Sequence, residues 1–171
     1  AHQMVNKAFH RVVDPGSAAA YRPLIGHAVA GRFVSSLEDV LDRSLSEIAV
    51  GFAGPNGTEW ALVDVALPAG SSVTVVDRLD TSRLAADVLT PLLGIDESNP
   101  GQRLRYLPAL SDREALSELD LAPGEAVFIM NPVTMEELFE AADQDLVMPP
   151  KSTYFEPKVR SGLFVHFKDR V

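Results

Sequence analysis

The run Ala126-Val127-Phe128-Ile129-Met130 is the feature of this sequence that most restricts the fold. A strand with one face in water alternates apolar and polar residues, because successive side chains point to opposite faces. Five apolar residues in a row are instead typical of a central strand that is buried on both faces. We therefore expect a sheet whose centre is covered on both sides, and a chain of 171 residues is long enough to bury such a core.

Other segments predict antiparallel pairing and helices between the strands. Residues 48–53 and 59–67 have the composition of strands, and they flank Gly54-Pro55-Asn56-Gly57, which is a hairpin signal. The alternation over residues 5–13 predicts a further strand. Because strands and helices interleave, the predicted class is α+β with a mixed sheet, and the alternative is α/β with a mostly parallel sheet. We predict a single domain, with a sub-boundary near residues 68–80.

Three patterns predict where helices begin and end. Ser36 begins a capping pattern and an apolar stripe, which predict a helix as far as Leu45. Asp80 is predicted to cap a second helix, and Gly94 is predicted to end it. A third helix is predicted after the capping box at Thr134. Its apolar residues follow helical spacing: Met135, Leu138, Phe139 and Ala142.

Residues 148–162, which we call the signature loop, have the sequence Met-Pro-Pro-Lys-Ser-Thr-Tyr-Phe-Glu-Pro-Lys-Val-Arg-Ser-Gly. Three prolines fix φ and remove backbone donors, which predicts a stiff extended loop and argues against a helix or a central strand. Two lysines, one arginine, three Ser/Thr hydroxyls and one carboxylate lie on this loop. We interpret a stiff, cationic, hydroxyl-rich loop as a binding surface.

The signature loop resembles the C-terminal signature of a bacterial and archaeal family known as Domain of Unknown Function 1015. Further agreement lies in Phe9-His10-Arg11-Val12-Val13, in Leu89-Thr90-Pro91-Leu92-Leu93-Gly94-Ile95 and in Met130-Asn131-Pro132-Val133. The likeness covers nearly the whole chain, and it is strong from Leu79 onward and weak between Asp14 and Arg78.

Members of that family are usually longer, and their N-terminal half carries a Gly-His-His-Arg motif. That motif is similar to one in ParB/sulfiredoxin-like proteins, which include free-serine kinases and nucleotide-hydrolysing clamps. This sequence contains no His-His-Arg. The resemblance therefore implies the C-terminal portion of a longer protein, with the N-terminal half of the same protein as a partner. It leaves the cofactor open, with a nucleotide and Mg²⁺ as one candidate.

Charge and cysteine content argue against several classes of function. The net charge of −9 argues against non-specific binding to nucleic acid or to an anionic membrane. Residues 148–171 carry a net charge of +3, whereas the remainder carries −12, which favours a small anionic ligand at the signature loop.

The lack of cysteine excludes disulfides and Cys-type zinc sites, and no His/Asp/Glu spacing predicts another metal site. No apolar run approaches the ~20 residues that cross a bilayer, so we expect a cytoplasmic protein.

The predicted ligand-binding residues supply positive charge or hydrogen bonds: Lys151, Ser152, Thr153, Lys158, Arg160, Arg11 and Asn131. Lys151 suits a phosphate or carboxylate as a point charge, and Arg160 can bind an oxyanion with two hydrogen bonds. Asn131 follows the apolar run, at the kind of strand end where open sheets bind ligands.

The catalytic candidates are His10, which can relay a proton, and Glu156, which can orient a hydroxyl group. The purely structural interpretation is that the signature loop is a rigid connector with solvated Lys and Arg side chains. In that interpretation Arg11 is exposed on an edge strand, and His10 forms its hydrogen bond with a backbone group.

We expect the ligand-binding portion of a cytosolic enzyme that acts on a small anionic metabolite. Phosphoryl transfer is the most specific version of this expectation, and it rests on the family resemblance alone. The alternative is a non-catalytic regulatory or assembly domain, whose signature loop contacts another domain or another protomer of an oligomer. A cleft shared by Lys151, Arg160 and His10 or Arg11 would favour the enzyme, whereas a loop covered by protein would favour the alternative.

Overall fold

A computed structural model describes residues 5–14, 16, 32–44, 46–54, 56–65, 67–108, 116–117 and 119–156. These segments contain eight strands: β1 (Val5–Lys7), β2 (Phe9–Val13), β3 (Arg32–Val34), β4 (Glu47–Gly54), β5 (Gly57–Asp64), β6 (Leu104–Pro108), β7 (Ala126–Ile129) and β8 (Tyr154–Glu156). Their main helices are α1 (Leu37–Leu41), α2 (Val75–Arg78), α3 (Asp80–Leu84), α4 (Thr90–Leu93) and α5 (Met135–Asp143), with a π-helical segment (Ala85–Leu89) between α3 and α4. No helix in these segments is long and apolar enough to cross a membrane.

Six of these strands form one sheet in the order β3-β5-β4-β7-β2-β6, and β1 and β8 form a separate two-stranded sheet. Every pairing between these described strands is antiparallel. The α+β class is thereby confirmed, and the α/β alternative with a mostly parallel sheet is wrong. The larger sheet takes strands from both sides of residues 68–80, where the sub-boundary is predicted.

Strand β7 lies between β4 and β2 inside the larger sheet, and all four of its residues are buried. Alternation along the strand sends Phe128 into one core cluster and Val127 into the other. Leu84 of α3 and Leu93 of α4 belong to the cluster of Phe128, whereas Val40 of α1 belongs to the cluster of Val127. The prediction of a central strand that is buried on both faces is confirmed.

Strands β4 and β5 form the predicted hairpin, with Gly54 opposite Gly57 at the turn. Within this hairpin Gly51 lies opposite Trp60. A Cβ atom at Gly51 would lie 2.6 Å from the Trp60 ring, which is closer than packed side chains allow. The glycine therefore leaves the space into which the Trp60 ring packs against the sheet.

The predicted strand over residues 5–13 is divided at Ala8 into β1 and β2. Strand β1 pairs with β8, whereas β2 pairs with both β6 and β7 in the larger sheet. Because β2 has a neighbour on each side, it is not an edge strand. The interpretation that places Arg11 on an exposed edge is therefore wrong.

Helix α1 begins after its predicted cap but ends at Leu41, four residues earlier than predicted. In a longer helix the Val40 carbonyl would accept a hydrogen bond from the Ser44 amide. Here the Val40 carbonyl accepts from the Arg43 guanidinium at 2.8 Å, and the Ser44 amide donates to Glu47 Oε2 at 3.0 Å. Side chains thus form hydrogen bonds with both of the backbone groups that the next helical turn would pair with each other.

The helix predicted from Asp80 ends at Gly94 as predicted, where φ is 61°. Its beginning differs from the prediction, because the cap position is Leu79 and no side chain caps it. The Asp80 carboxylate instead accepts hydrogen bonds from Arg83 at 3.3 Å and from the amide of Asn131 at 2.9 Å. Asp80 therefore joins α3 to the residues that follow β7.

Helix α5 begins at the predicted capping box on Thr134, and Glu140 on this helix forms a 3.1 Å ion pair with Arg78 of α2. Its predicted apolar stripe does not lie in the core: Met135 is 41% exposed, Phe139 is 61% exposed, Ala142 is exposed and Leu138 is half-buried. The buried residue of this helix is Ala141, which was not in the predicted stripe. The described part of the chain thus leaves two large apolar side chains of α5 in solvent.

Candidate functional site

The signature loop makes a turn at Lys151, whose φ is 54°. A residue with a Cβ atom rarely adopts this left-handed conformation, which costs free energy unless the surroundings impose it. The Lys151 side chain is exposed, and its Nζ lies 5.4 Å from the centre of the Phe9 ring. Ser152 is only 4% exposed, so the loop buries the residue that directly follows the turn.

Arg11 of β2 binds the backbone of this turn from inside the protein. Its guanidinium donates to the carbonyl oxygens of Pro150 at 2.9 Å, Lys151 at 3.2 Å and Phe9 at 2.6 Å. Its Nε donates to Glu97 Oε1 at 3.0 Å. The Arg11 side chain is fully buried and that of Glu97 is 8% exposed, so the two charges neutralise each other inside the protein. Four of the five N–H donors of Arg11 therefore bind protein groups.

Tyr106 of β6 completes this group, which we call the Arg11 anchor and which consists of Arg11, Glu97 and Tyr106. The Arg11 Cζ lies 5.3 Å from the centre of the Tyr106 ring, and the Tyr106 hydroxyl donates to Glu97 Oε1 at 3.4 Å. Burial and the neighbouring Glu97 carboxylate raise the pKa of Tyr106 above its ordinary value. The Arg11 anchor thus holds the signature loop through contacts within the protein, without a ligand.

Asn6 of β1 binds the same loop further along the chain, at Tyr154. Its Oδ1 accepts a hydrogen bond from the Tyr154 amide at 2.9 Å, and its Nδ2 donates to the Val133 carbonyl at 2.6 Å. One side chain therefore ties the start of β8 to the segment after β7. Together with the Arg11 anchor, it fixes the position of the residues between Pro150 and Tyr154.

The structure brings together four of the predicted ligand-binding residues at this place: Lys151, Ser152, Thr153 and Arg11. Of these, Lys151 presents its charge to solvent, whereas Arg11 is committed to the protein. Lys158 and Arg160 lie outside the described residues. Their predicted roles stay predictions.

Of the two catalytic candidates, His10 lies on the face of the sheet opposite to the Arg11 side chain that binds the signature loop. His10 is 1% exposed, and its Nδ1 accepts a hydrogen bond from the Met130 amide at 3.1 Å. This hydrogen bond to the Met130 amide is the backbone contact that the purely structural interpretation predicts for His10. Glu156 lies in β8 and pairs with Val5 of β1.

Asn131 belongs to a different place, on the Asp80 side of the molecule. Its amide donates to Asp80, and its Oδ1 accepts from Arg43 Nη2 at 2.8 Å. This network borders a cleft of about 320 Å³, which we call the Asp80 cleft. The residues that line this cleft include Leu79, Asp80, Thr81, Arg83, Asn131 and Val133.

Burial is unfavourable for the charged forms of the groups beside the Asp80 cleft. Burial raises the pKa of Asp80, although the Asn131 amide and the Arg43 charge act in the opposite direction. Burial also lowers the pKa of Arg43 and of Arg83, although Asp80 lies beside both. Because each pKa moves toward the neutral form of its group, pairing does not fully offset the loss of hydration. Perturbed groups in a cleft are typical of functional sites.

The sequence prediction missed Asp80 as a site residue because it treated this residue as a helix cap. The available signal was Arg83, which lies three residues later on the same helical face. That spacing predicts an ion pair, but it does not show that the pair is buried.

Models of known protein families give no match to this chain, and a search of curated proteins finds no similar sequence. The resemblance to Domain of Unknown Function 1015 therefore stays a prediction.

Proposed function

We propose that this chain is the ligand-binding portion of a cytosolic enzyme that acts on a small anionic metabolite, with Lys151 as the cation that contacts the anion. The observation that carries the proposal is the turn at Lys151. This residue keeps an unfavourable φ of 54° while the buried Arg11 binds its carbonyl oxygen. Strain that the surrounding structure imposes is often found at binding sites, because it fixes a side chain in advance of the ligand.

Phosphoryl transfer is the finer version of this proposal, and its support is the resemblance of the signature loop to the family named above. A phosphate group suits Lys151, because an ammonium is a compact point charge with three donors. The hydroxyl of the half-buried Thr153 and the cations predicted at Lys158 and Arg160 would add hydrogen bonds to the same group. A nucleotide with Mg²⁺ is therefore the first compound to test.

Replacement of Lys151 by Ala should weaken binding of the anion about ten- to a hundredfold, because a charge-assisted hydrogen bond contributes roughly 1.5–3 kcal/mol. The thermal midpoint should change little, because an exposed lysine contributes little to stability. Isothermal titration calorimetry with phosphate, pyrophosphate and ATP–Mg²⁺ measures the affinity. Arg160→Ala should show a similar loss if both cations bind the same group.

Two further variants separate charge from backbone strain. Lys151→Gly removes the charge and also relieves the left-handed φ, so it should lose binding and fold at least as stably. Arg105→Ala removes an exposed cation that pairs with Glu125 elsewhere on the surface, so it should bind normally. If Lys151→Ala and Lys151→Gly both bind the anions with unchanged affinity, the proposal is wrong.

The second candidate function, an assembly domain, is favoured by the exposed apolar side chains of α5. Met135 and Phe139 lie one helical turn apart and are 41% and 61% exposed. Exposed large apolar groups that share a helix face are typical of interaction surfaces. A second copy of this chain is the partner that this candidate function predicts.

Sedimentation velocity over a concentration series tests self-association. Phe139→Ser should weaken it about tenfold or more, because an aromatic side chain at the centre of an interface contributes a large share of the affinity. Phe33→Ser is a matched control, because Phe33 is also 61% exposed but lies on strand β3. A monomer at all concentrations, or equal effects of the two variants, would contradict the assembly function.

A further inference from the structure

Glu97 lies between α4 and β6, and its side chain is 8% exposed. Its Oε1 accepts hydrogen bonds from Arg11 Nε at 3.0 Å and from the Tyr106 hydroxyl at 3.4 Å. Among the described residues, these are the hydrogen bonds of the Glu97 side chain, and neither of them reaches the signature loop. Glu97 therefore acts on the loop through Arg11.

The Nη1 atom of Arg11 connects the two residues that determine where the Lys151 ammonium lies. It donates to the carbonyl oxygens of both Phe9 at 2.6 Å and Lys151 at 3.2 Å. The Lys151 Nζ lies 5.4 Å from the centre of the Phe9 ring, which is within the ~6 Å of a cation–π contact. The Phe9 ring packs edge-to-face against Tyr154, with ring centres 5.3 Å apart. The position of the ammonium thus depends on how Arg11 holds the two backbones.

Glu97 is the acidic partner that neutralises Arg11, whose side chain is fully buried. The other hydrogen-bond partners of Arg11 are carbonyl oxygens, which carry no net charge. A buried guanidinium without a counter-ion is strongly unfavourable, so it draws in water or turns toward solvent. Either change weakens the hydrogen bonds from Arg11 to the carbonyls of Pro150 and Lys151.

The backbone of Lys151 responds to that loss, because its φ of 54° is unfavourable for a residue with a Cβ atom. Such a conformation persists only where the surroundings impose it, and the hydrogen bond from Arg11 to the Lys151 carbonyl is one such contact. When this contact is lost, φ relaxes toward negative values and the side chain leaves the Phe9 ring. Lys151 then keeps its charge but no longer holds it in one place.

We propose that Glu97 is a positioning residue of the anion site: through Arg11 it holds the Lys151 ammonium over Phe9, in the conformation that binds the anion. This inference rests on the function proposed above, in which Lys151 contacts the anion. The Glu97 carboxylate has the same sign of charge as the ligand, so a direct effect through space would be repulsive. Positioning and direct electrostatics therefore predict opposite changes in affinity when the Glu97 charge is removed.

Glu97→Gln removes the charge and keeps an oxygen that can accept a hydrogen bond from Arg11. In calorimetric titrations of the full chain with pyrophosphate, affinity should fall about tenfold, the lower limit for loss of one charge-assisted hydrogen bond. Glu125→Gln is the matched control, because it removes a carboxylate that pairs with the exposed Arg105. That control should bind normally. Unchanged or higher affinity in Glu97→Gln would overturn the proposal.

A second measurement reports the position of Lys151 without any anion. Protons that lie over an aromatic ring resonate upfield of their ordinary position, so the Hε protons of Lys151 should be displaced by the Phe9 ring. In Glu97→Gln these protons should return toward their ordinary shift, and in Glu125→Gln they should not move. If Glu97 contributes to stability alone, the folded variant keeps both the displaced shift and the affinity, which contradicts the proposal.

The double variant Lys151→Ala with Glu97→Gln should bind pyrophosphate no more weakly than Lys151→Ala, because Glu97 acts through that lysine. If the unmodified chain does not bind pyrophosphate, the proposed function and this inference are both wrong. If Lys151→Ala weakens binding and Glu97→Gln does not, this inference alone is wrong.

If Glu97→Gln does not fold, Glu97→Asp keeps the charge and shortens the side chain by one methylene group. The shorter carboxylate should hold Arg11 less well, so affinity for pyrophosphate should fall in the same direction as in Glu97→Gln. Affinity equal to or above that of the unmodified chain would then overturn the proposal.

Discussion

Replacement of Arg11 by Met should lower the free energy of unfolding by about 3–5 kcal/mol, because it breaks a buried ion pair by removing one partner. Glu97, whose side chain is 8% exposed, would keep its charge without a counter-ion. The carbonyl oxygens of Pro150 and Lys151 would also lose their donor. Met fills part of the volume of Arg, so the expected loss comes mainly from these polar groups.

Urea unfolding at neutral pH measures this loss, and hydrogen exchange of the Tyr154 amide reports whether the signature loop opens as a consequence. Arg105→Met is the matched control, because the Arg105–Glu125 pair has side chains that are 48% and 20% exposed. A pair of that kind contributes about 0–1 kcal/mol.

The double variant Arg11→Met with Glu97→Gln should lose less free energy of unfolding than the two single variants lose together. The reason is that neither partner is then left as an unpaired buried charge. A loss below about 1 kcal/mol in Arg11→Met, with normal exchange at Tyr154, would show that the Arg11 anchor does not hold the loop.

Replacement of Phe128 by Ala should lower the free energy of unfolding by about 3–5 kcal/mol, because it removes apolar contact and leaves a cavity. Phe128 is fully buried, and it lies opposite Arg11 on β2 and opposite Val50 on β4. Neighbouring strands on both sides restrict the collapse of the structure into the cavity. The loss should therefore be in the upper half of the range for core substitutions.

Urea unfolding also measures this loss, and Phe33→Ala gives the comparison for a phenylalanine that is 61% exposed. That control should change stability by less than about 1 kcal/mol. Similar losses in Phe128→Ala and Phe33→Ala would mean that β7 is not the centre of the sheet.

The parts of the fold that follow from neighbouring residues were predictable from the sequence. The apolar run around Phe128 predicts a central strand, and Gly54 with Gly57 predicts the hairpin turn. Gly94 ends its helix because glycine adopts the left-handed φ of 61° without a Cβ clash. Each of these features depends on a few adjacent residues, and their patterns have one dominant structural solution.

The predictions that were wrong depended on competition between local and distant partners. The helix that begins after Ser36 ends early because side chains of Arg43 and Glu47 bind the backbone groups of the next turn. Asp80 does not cap its helix because the amide of Asn131, 51 positions later, binds its carboxylate. Local propensity does not contain these alternatives, because their partners come close only in the folded chain.

For the candidate sites, the sequence by itself determined that a proline-rich, cationic segment exists and that Lys151 lies on it, because proline content and charge are properties of the segment alone. Only the tertiary structure decided that Arg11 holds this loop from within, across 140 positions of the chain. It also decided that Asp80, Thr81 and Asn131 meet at a cleft. The physical reason is that burial and hydrogen-bond satisfaction depend on which distant groups fold together, and they decide whether a charged residue binds the protein or a ligand.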